Sequence, residues 1–399
     1  MKAVVMAGGE GSRLRPLTSQ LPKPLLPVAN RPVMEHILNL LRRHGITEIV
    51  ATLHYLADEI EGYFGDGSSF GVKMHYVVED RPLGTAGAVK QAHNLLRDEP
   101  FLVVSGDALT DMDLSALTAY HRNRRAMATI ALQRVSTPLE FGVVVTDDEN
   151  RITRFLEKPS WGEVFSDTIN TGIYVLEPSV LDLMDLGKNY DFSRDIFPQL
   201  QRDNKNLIGY ISGGYWTDIG TLDQYQKACF DALGGLVDLE VPGEEIRPGL
   251  HSGPNARIDP SAKLSGSIVL GHDVRIGPGV QIEGPAALGN GCIVENDARL
   301  IRPIAWNDVY VGSEAVLDGC IVADRNTIKT RATIGESAVL GRGCTIGDGA
   351  TVRPNLRLWP GKYVASGSIV SMSLIYGMKW PGSLFGTLGV SGLANFELT

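Results

Sequence analysis

The sequence predicts a mostly parallel α/β domain followed by a left-handed parallel β-helix, and three observations carry that prediction. Short apolar runs alternate with helical patterns over residues 1–231, the order that builds a parallel sheet covered by helices. From Ile258 the period changes, and an aliphatic residue recurs at every sixth position. The 45 glycines thicken toward the C-terminal half, as a turn-rich architecture requires.

In order, Lys2–Ala7 reads as a strand, Val33–His44 as a helix, Glu48–Leu53 as a strand and Ala57–Phe64 as a helix. Val72–Val78 (strand), Ala86–Leu96 (helix) and Phe101–Ser105 (strand) follow. Ligands of such sheets collect at the carboxyl ends of strands, so the loops after strands carry the search for chemistry. Residues 232–254, with Gly234-Gly235, Pro242, Pro248 and Pro254, read as linker and edge pairing. The repeat then occupies 255–376. One run is Ile258, Leu264, Leu270, Ile276, Ile282, Leu288, Val294 and Leu300; a second is Ile328, Ile334, Leu340, Ile346, Val352, Leu358, Val364 and Val370. Each repeat makes one face of a triangular coil, with its aliphatic residue pointing inward. The phase slips around Ile301–Asp308 and near Arg325, where loops or an irregular coil are expected.

A net charge of −9 argues against a nucleic-acid or anionic-membrane surface, so any phosphate must be met by a local group of Arg and Lys. The apolar N-terminal run is too short for a signal peptide, and no stretch approaches 18 uninterrupted apolar residues. Cys229, Cys292, Cys320 and Cys344 form no CxxC pair and read as reduced thiols, so the cytoplasm is the expected compartment.

The most informative segment runs Met6-Ala7-Gly8-Gly9-Glu10-Gly11-Ser12-Arg13-Leu14-Arg15-Pro16-Leu17-Thr18, then Pro22-Lys23-Pro24. Glycines directly after a strand let backbone N–H groups converge on a polyphosphate without Cβ interference. The segment is not a P-loop, having no Lys-Ser/Thr at that spacing, nor a dinucleotide fingerprint, lacking the third glycine. Asp107 ends the strand Phe101–Ser105 region, and Asp218 follows the aromatic pair Tyr215-Trp216. Alone, either aspartate reads as a turn or cap residue, and Glu157-Lys158-Pro159 reads as a surface turn.

G-G-x-G-x-R-L-x-P-L-T…P-K-P-L-x-P resembles the signature of the sugar-1-phosphate nucleotidyltransferases, in particular the mannose-1-phosphate guanylyltransferase branch with a hexapeptide-repeat tail. The resemblance implies a Rossmann-like nucleotidyltransferase domain with a mostly parallel mixed sheet. It implies that Arg13 neutralises triphosphate charge and that Lys23 assists at the phosphates. Gly8, Gly9, Gly11, Glu79, Gly84 and Thr85 would then meet the nucleotide, with Gly84 and Gly87 admitting base and ribose to the backbone. Gly142, Glu157, Lys158 and Asn170 would meet the sugar phosphate. Asp107 and Asp218 match the family's Mg²⁺ ligands, and a hard cation taking one or two carboxylates plus phosphates suits them. At Glu79, where uridylyl- and thymidylyl-transferring relatives look to carry glutamine, a carboxylate only accepts hydrogen bonds. It would accept guanine's two adjacent donors as a pair, favouring GTP.

The implied reaction joins a sugar 1-phosphate to a nucleoside triphosphate and releases pyrophosphate. The nucleophile is already an anion, so positioning and charge neutralisation suffice without a general base. A UTP- or dTTP-dependent glucose-1-phosphate enzyme is the alternative within the class. Outside it stand a non-catalytic regulatory subunit of the same fold and an acyltransferase, the latter with only His272 and the nearby His251 to offer. The resemblance further implies a homo-oligomer, and the net charge and short apolar runs leave nucleic-acid and membrane partners unexpected. Residues 377–399 resemble the opening of a phosphohexomutase domain, to which no mutase activity is assigned.

Overall fold

The computed structural model describes residues 1–157 and 166–375, with the backbone of 379–380, 385–386 and 389–390. Chain contacts divide it into two units. The first holds Met1–Glu10, Pro22–Leu25 and Pro32–Ile219; the second holds Gly11–Leu21, Leu26–Arg31 and Gly220–Thr399.

In the first unit the alternating runs become β1 (Ala3–Met6), α1 (Val33–Arg43), β2 (Glu48–Leu53), α2 (Ala57–Phe64), β3 (Lys73–Val78), α3 (Gly84–Gln91) and β4 (Phe101–Ser105). Strands β4, β1, β2 and β3 lie side by side in parallel. Strands β1, β2 and β4 are largely Val, Ile, Leu and Ala because both faces are covered, whereas β3 at the end of the order, Lys-Met-His-Tyr-Val-Val, is partly exposed. The expected helix Ala86–Leu96 starts earlier, at Gly84, and gives way after Gln91 to a 3-10 turn at His93–Leu95.

Next come β5 (Ala108–Thr110), α4 (Leu114–Arg124), β6 (Ala128–Arg134), β7 (Gly142–Thr146), β8 (Ile152–Glu157), β9 (Thr168–Leu176), α5 (Phe197–Arg202), β10 (Leu207–Ile211) and β11 (Trp216–Asp218). The sheet turns antiparallel at β9, which pairs with β4, β6 and β7, and β10 adds a further parallel pair to β6, so it is mixed. An aromatic cluster closes the core beside it. Tyr174 meets Phe192 and Phe197 edge-on at 5.3 and 5.0 Å, and Phe155 stacks on Phe197 at 5.6 Å.

In the second unit the hexad forms three stacks of short parallel strands, the faces of a left-handed β-helix. The aliphatic positions from Leu264 to Val370 are buried in one continuous core. The phase slips expected near 301–308 and 325 are present without loops or an irregular coil. Leu300 pairs with Leu317 and Leu317 with Ile334, steps of 17 residues, whereas Val322 pairs with Leu340, a step of 18. Two turns are one residue tighter, and the stack continues through both. Residues 244–247 and 250–252 of the expected linker form an antiparallel pair whose second strand opens one solenoid face. Helix α6 (Leu222–Leu233), capped by the Thr221 hydroxyl accepting from Gln224 N at 3.2 Å, belongs to this unit. The four cysteines are buried free thiols. The tail 377–399 and the phosphohexomutase expectation attached to it lie outside the described side chains.

Candidate active site

The site is assembled at the carboxyl ends of β1, β2 and β4. Gly106 N donates to Met6 O at 2.8 Å and Ala7 N to Thr52 O at 2.9 Å, so three strand ends stop together. Asp107 follows β4 directly. Strand β11 pairs antiparallel with β5, setting Asp218 opposite Ala108, and Ile219 N donates to Asp107 O at 3.2 Å. That pairing is why two aspartates separated by more than a hundred residues converge.

Lys23 fills the space between them. Its ammonium is ion-paired with Asp107 Oδ2 and lies 3.5 Å from Asp218 Oδ1. Burial (the side chain is 11% exposed) would push this amine down, but the two carboxylates outweigh it and hold its pKa above the ordinary lysine value. Burial likewise opposes ionisation of Asp107, yet Lys23 and the Ser105 hydroxyl, which donates to Asp107 Oδ1, hold it below the usual carboxylate range. A cation clasped by two carboxylates is the donor set a hard divalent ion takes when phosphate oxygens complete its shell. Among the described residues no group of three or more His, Cys, Asp or Glu gathers as a metal site.

Beside the clasp opens a cavity of about 460 Å³, lined by Gly8, Gly9, Glu79, Gly84, Thr85 and Asp107 among others. A Cβ at Gly8 would sit 3.4 Å from His54 backbone N and 3.6 Å from Glu79 Oε1, while Gly9 has open space around it. Glu79 is buried at 8% exposure, with Oε2 accepting from Leu83 N at 2.9 Å. Burial pushes its carboxyl up, against smaller opposing effects of the Leu83 N–H and His54. One oxygen is thus already engaged, which amends the expectation that both stand ready for a base; Oε1 is the side turned to Gly8.

Other expected residues also make contacts within the chain itself. A Cβ at Gly84 (φ +73°) would lie 2.4 Å from Tyr190 O, and one at Gly87 2.6 Å from Lys188 O. The close approach that demands glycine there is made by the chain's own 188–190 segment, whose Tyr190 O also accepts from Ala86 N and Gly87 N. Thr85 donates to Asp191 Oδ2 and accepts from Phe192 N, both at 3.0 Å. Asn170 spends its amide on Tyr174 OH and Ser193 Oγ at 3.0 Å each, and its carbonyl accepts from Gly172 N at 2.9 Å. The sugar-segment positions nevertheless meet. Gly142 pairs with Glu157 across β7 and β8, Ile169 pairs with Val143, and a Cβ at Gly172 would stand 3.2 Å from that of Ser105. Lys158 and the side chain of Glu157 lie outside the described residues.

Arg13 is exposed on the 3-10 turn Ser12–Leu14, and Gly11 (φ +63°) opens that turn; both belong to the second unit. The cavity lining includes residues the motifs did not single out. Thr52, His54 and Tyr55 follow or end β2, and His54 Nδ1 is 2.9 Å from Glu79 O. Position at a strand's carboxyl end was their signal. Ser105 was quoted only as part of a strand, yet it orients Asp107.

Residues 2–233 match the Nucleotidyl transferase family model, and residues 252–375 match the GMPPB C-terminal domain. The chain is 36% identical over 340 residues to the UTP–glucose-1-phosphate uridylyltransferase of Synechocystis sp., covering 82% of this chain and 88% of that protein. It is 35% identical over 303 residues to the mannose-1-phosphate guanylyltransferase of Mycobacterium tuberculosis, covering 73% and 82%. Among solved structures, HddC from Yersinia pseudotuberculosis complexed with GMP-PN aligns at 25% identity with a TM-score of 0.51, over 57% of this chain and 97% of that one.

Proposed function

We propose, for a chain that belongs to the nucleotidyl transferase family and acts as a sugar-1-phosphate nucleotidyltransferase, that it couples GTP to mannose 1-phosphate, giving GDP-mannose and pyrophosphate. The observation that carries this reading is the Lys23 ammonium held between Asp107 and Asp218 at the strand ends, beside a cavity floored by Gly8 and walled by Glu79.

In this reading the nucleotide lies over Gly8 and Gly9, whose bare backbone admits the phosphates. Asp107 and Asp218 would hold Mg²⁺, which when bound neutralises phosphate charge as pyrophosphate leaves. Lys23 supplies a positive charge that stays protonated across physiological pH, and Arg13 adds a second from the signature loop. The sugar 1-phosphate oxygen attacks the α-phosphorus, the bond to the β-phosphate oxygen breaks, and no proton need be removed first. Ser105 keeps Asp107 oriented. Glu157, Lys158 and Gly142 receive the sugar phosphate, while Asn170 acts by bridging the register irregularity of β9 between itself and Tyr174. Glu79 reads the base through Oε1, accepting from the ring N–H or exocyclic amine of guanine. The same reading includes self-association of the chain, checked by the mass of the native protein in solution.

A second reading, UTP with glucose 1-phosphate, is favoured by the Synechocystis relative. Pyrophosphate release measured for GTP, UTP, dTTP and ATP against mannose and glucose 1-phosphates separates the two. We expect the highest kcat/KM for GTP with mannose 1-phosphate. A maximum at UTP with glucose 1-phosphate overturns the choice of substrates and leaves the reaction type standing.

A further inference from the structure

We infer that the β-helix, with α6, is the seat of the phosphate-handling signature: it fixes the two arms that flank Lys23 in the chain and so positions Arg13 and Lys23. The part concerning catalysis rests on the reaction proposed above; the seating itself does not.

The signature segment divides between the units in an unexpected way. Pro22–Leu25 packs with the α/β unit, but the arms on either side, Gly11–Leu21 and Leu26–Arg31, pack with the solenoid. In the first arm Leu14, Leu17 and Thr18 are buried, and the Thr18 hydroxyl donates to Gly11 O at 2.7 Å, closing the loop that carries Arg13. Pro16, Leu17 and Leu21 of this arm line one crevice with Trp306, Asp324 and Arg342 of the solenoid. Its volume of about 20 Å³ leaves room for no more than a water, so it is a packing contact and not a ligand site.

The second arm is gripped by hydrogen bonds. Tyr225 of α6 donates its hydroxyl proton to Pro27 O at 2.6 Å and accepts from Trp306 Nε1 at 3.0 Å. Asn30, in the left-handed region at φ +62°, donates to Leu288 O at 2.8 Å, on a solenoid strand. Ala29 packs with Leu233, Val269 and Ala287. Trp306 therefore serves both arms: it lines the crevice beside the first and holds the hydroxyl that grips the second.

The solenoid face beneath is built for this. Outward positions of a β-helix ordinarily meet water, yet Val269, Ala287, Ile304, Ile321 and Val339 on one face are all apolar and at most 3% exposed. Only four residues, Pro22–Leu25, separate the two arms, two of them prolines. A link that short has little slack, so whatever fixes the arms restricts where the Lys23 ammonium can stand. Arg13 is three residues from Pro16 and is bound to the same seat.

The test uses full-length Tyr225→Phe and Trp306→Phe, each removing one donor from the Trp306–Tyr225–Pro27 chain, and Arg342→Ala at the crevice. Hydrogen exchange is followed in peptides covering 11–21 and 26–31, alongside steady-state kinetics and thermal melts. Faster exchange is expected in 26–31 for the first two variants and in 11–21 for Trp306→Phe and Arg342→Ala. The kcat/KM for nucleotide should fall about tenfold in Tyr225→Phe, the scale of one lost buried hydrogen bond, with KM for the sugar 1-phosphate unchanged. A merely destabilised enzyme would lose both substrates' parameters together. Should Trp306→Phe fail to fold, Arg342→Ala and Tyr225→Phe still decide the matter. Unchanged exchange in both arms and unchanged nucleotide kinetics in the folded variants overturn the inference. Faster exchange with intact kinetics overturns the positioning role. Full activity in Arg13→Ala and Lys23→Ala would instead overturn the reaction reading, leaving the exchange result as it stands.

Discussion

Lys23 sits between Asp107 and Asp218, so a divalent cation bound there as proposed would compete with it for the same two carboxylates, and that shapes what substitutions there should do. Asp107→Asn and Asp218→Asn preserve side-chain volume while each removes a charge from the clasp. We expect kcat to fall roughly 100-fold or more in either variant, the scale of losing a charge-stabilising group at a reacting centre. Melting should shift only modestly. Near-normal turnover at limiting Mg²⁺ would refute their assignment. Asp107 has a depressed folded pKa, so the stability it confers is present above its unfolded pKa and is lost as pH falls through the lower folded value. Lys23, raised, contributes below its unfolded pKa and loses that contribution in strong alkali. Between those limits Lys23 and Asp107 both stay charged, so an activity change near neutral pH must come from other groups.

Glu79 is the opposite case. Its folded pKa is raised, so ionising it above its unfolded pKa costs the folded state stability. Glu79→Gln should therefore melt higher than the parent at pH 7–8, with the advantage vanishing in acid where both side chains are neutral. The same variant should lose roughly 1–3 kcal/mol of preference for GTP over UTP, the scale of one buried hydrogen bond left unpaired. Unaltered selectivity refutes base reading by Glu79; an unaltered or lower melting temperature refutes the burial argument.

At the scale of elements, helix α3 opens with two glycines pressed against the chain's own backbone. Its N-terminal turn packs so tightly on Lys188–Tyr190 that no Cβ fits at Gly87, with Lys188 O 2.6 Å from the ideal position. Gly87→Ala should destabilise the protein by about 1–3 kcal/mol, as overpacking a rigid contact does, read from denaturant midpoints. KM for nucleotide should rise as well, because Gly84 and Thr85 line the cavity from the same turn. The solenoid shows the converse tolerance. Two coils of 17 residues stack in register with neighbours of 18, because each face needs only its inward aliphatic residue and the ladder of backbone hydrogen bonds.

For the whole molecule, removing the solenoid should do more than change the assembly state. Ending the chain before Ile258 takes away the partners of Ala29, Leu233, Asn30 and Tyr225, leaving buried polar and apolar groups of α6 and the arms uncovered. We expect such a protein to be poorly soluble, or soluble with accelerated exchange in 11–21 and little turnover. A truncated protein with the parent's oligomeric state and full activity would argue against any structural role for the β-helix.

Sequence alone determined the architecture and the chemical vocabulary. Periods of two, 3.6 and six residues are local properties that follow from strand, helix and coil geometry. The strands Glu48–Leu53 and Phe101–Ser105 and the helix Ala57–Phe64 were therefore legible to the residue, and so was the hexad. The signature glycines and Asp107 could be found because strand ends are where such sheets collect ligands. Tertiary structure alone decided which groups face one another. Lys23 meets Asp107 and Asp218 through the β5–β11 pairing, Glu79 spends one oxygen on Leu83 N, and Asn170 donates to Tyr174 and Ser193. Gly84 and Gly87 are held by a backbone segment a hundred residues away, and the arms around Lys23 rest on the solenoid. None of these has a period or a local spacing. Each is a contact between residues distant in the chain, fixed only when burial and backbone hydrogen bonding choose one packing among many.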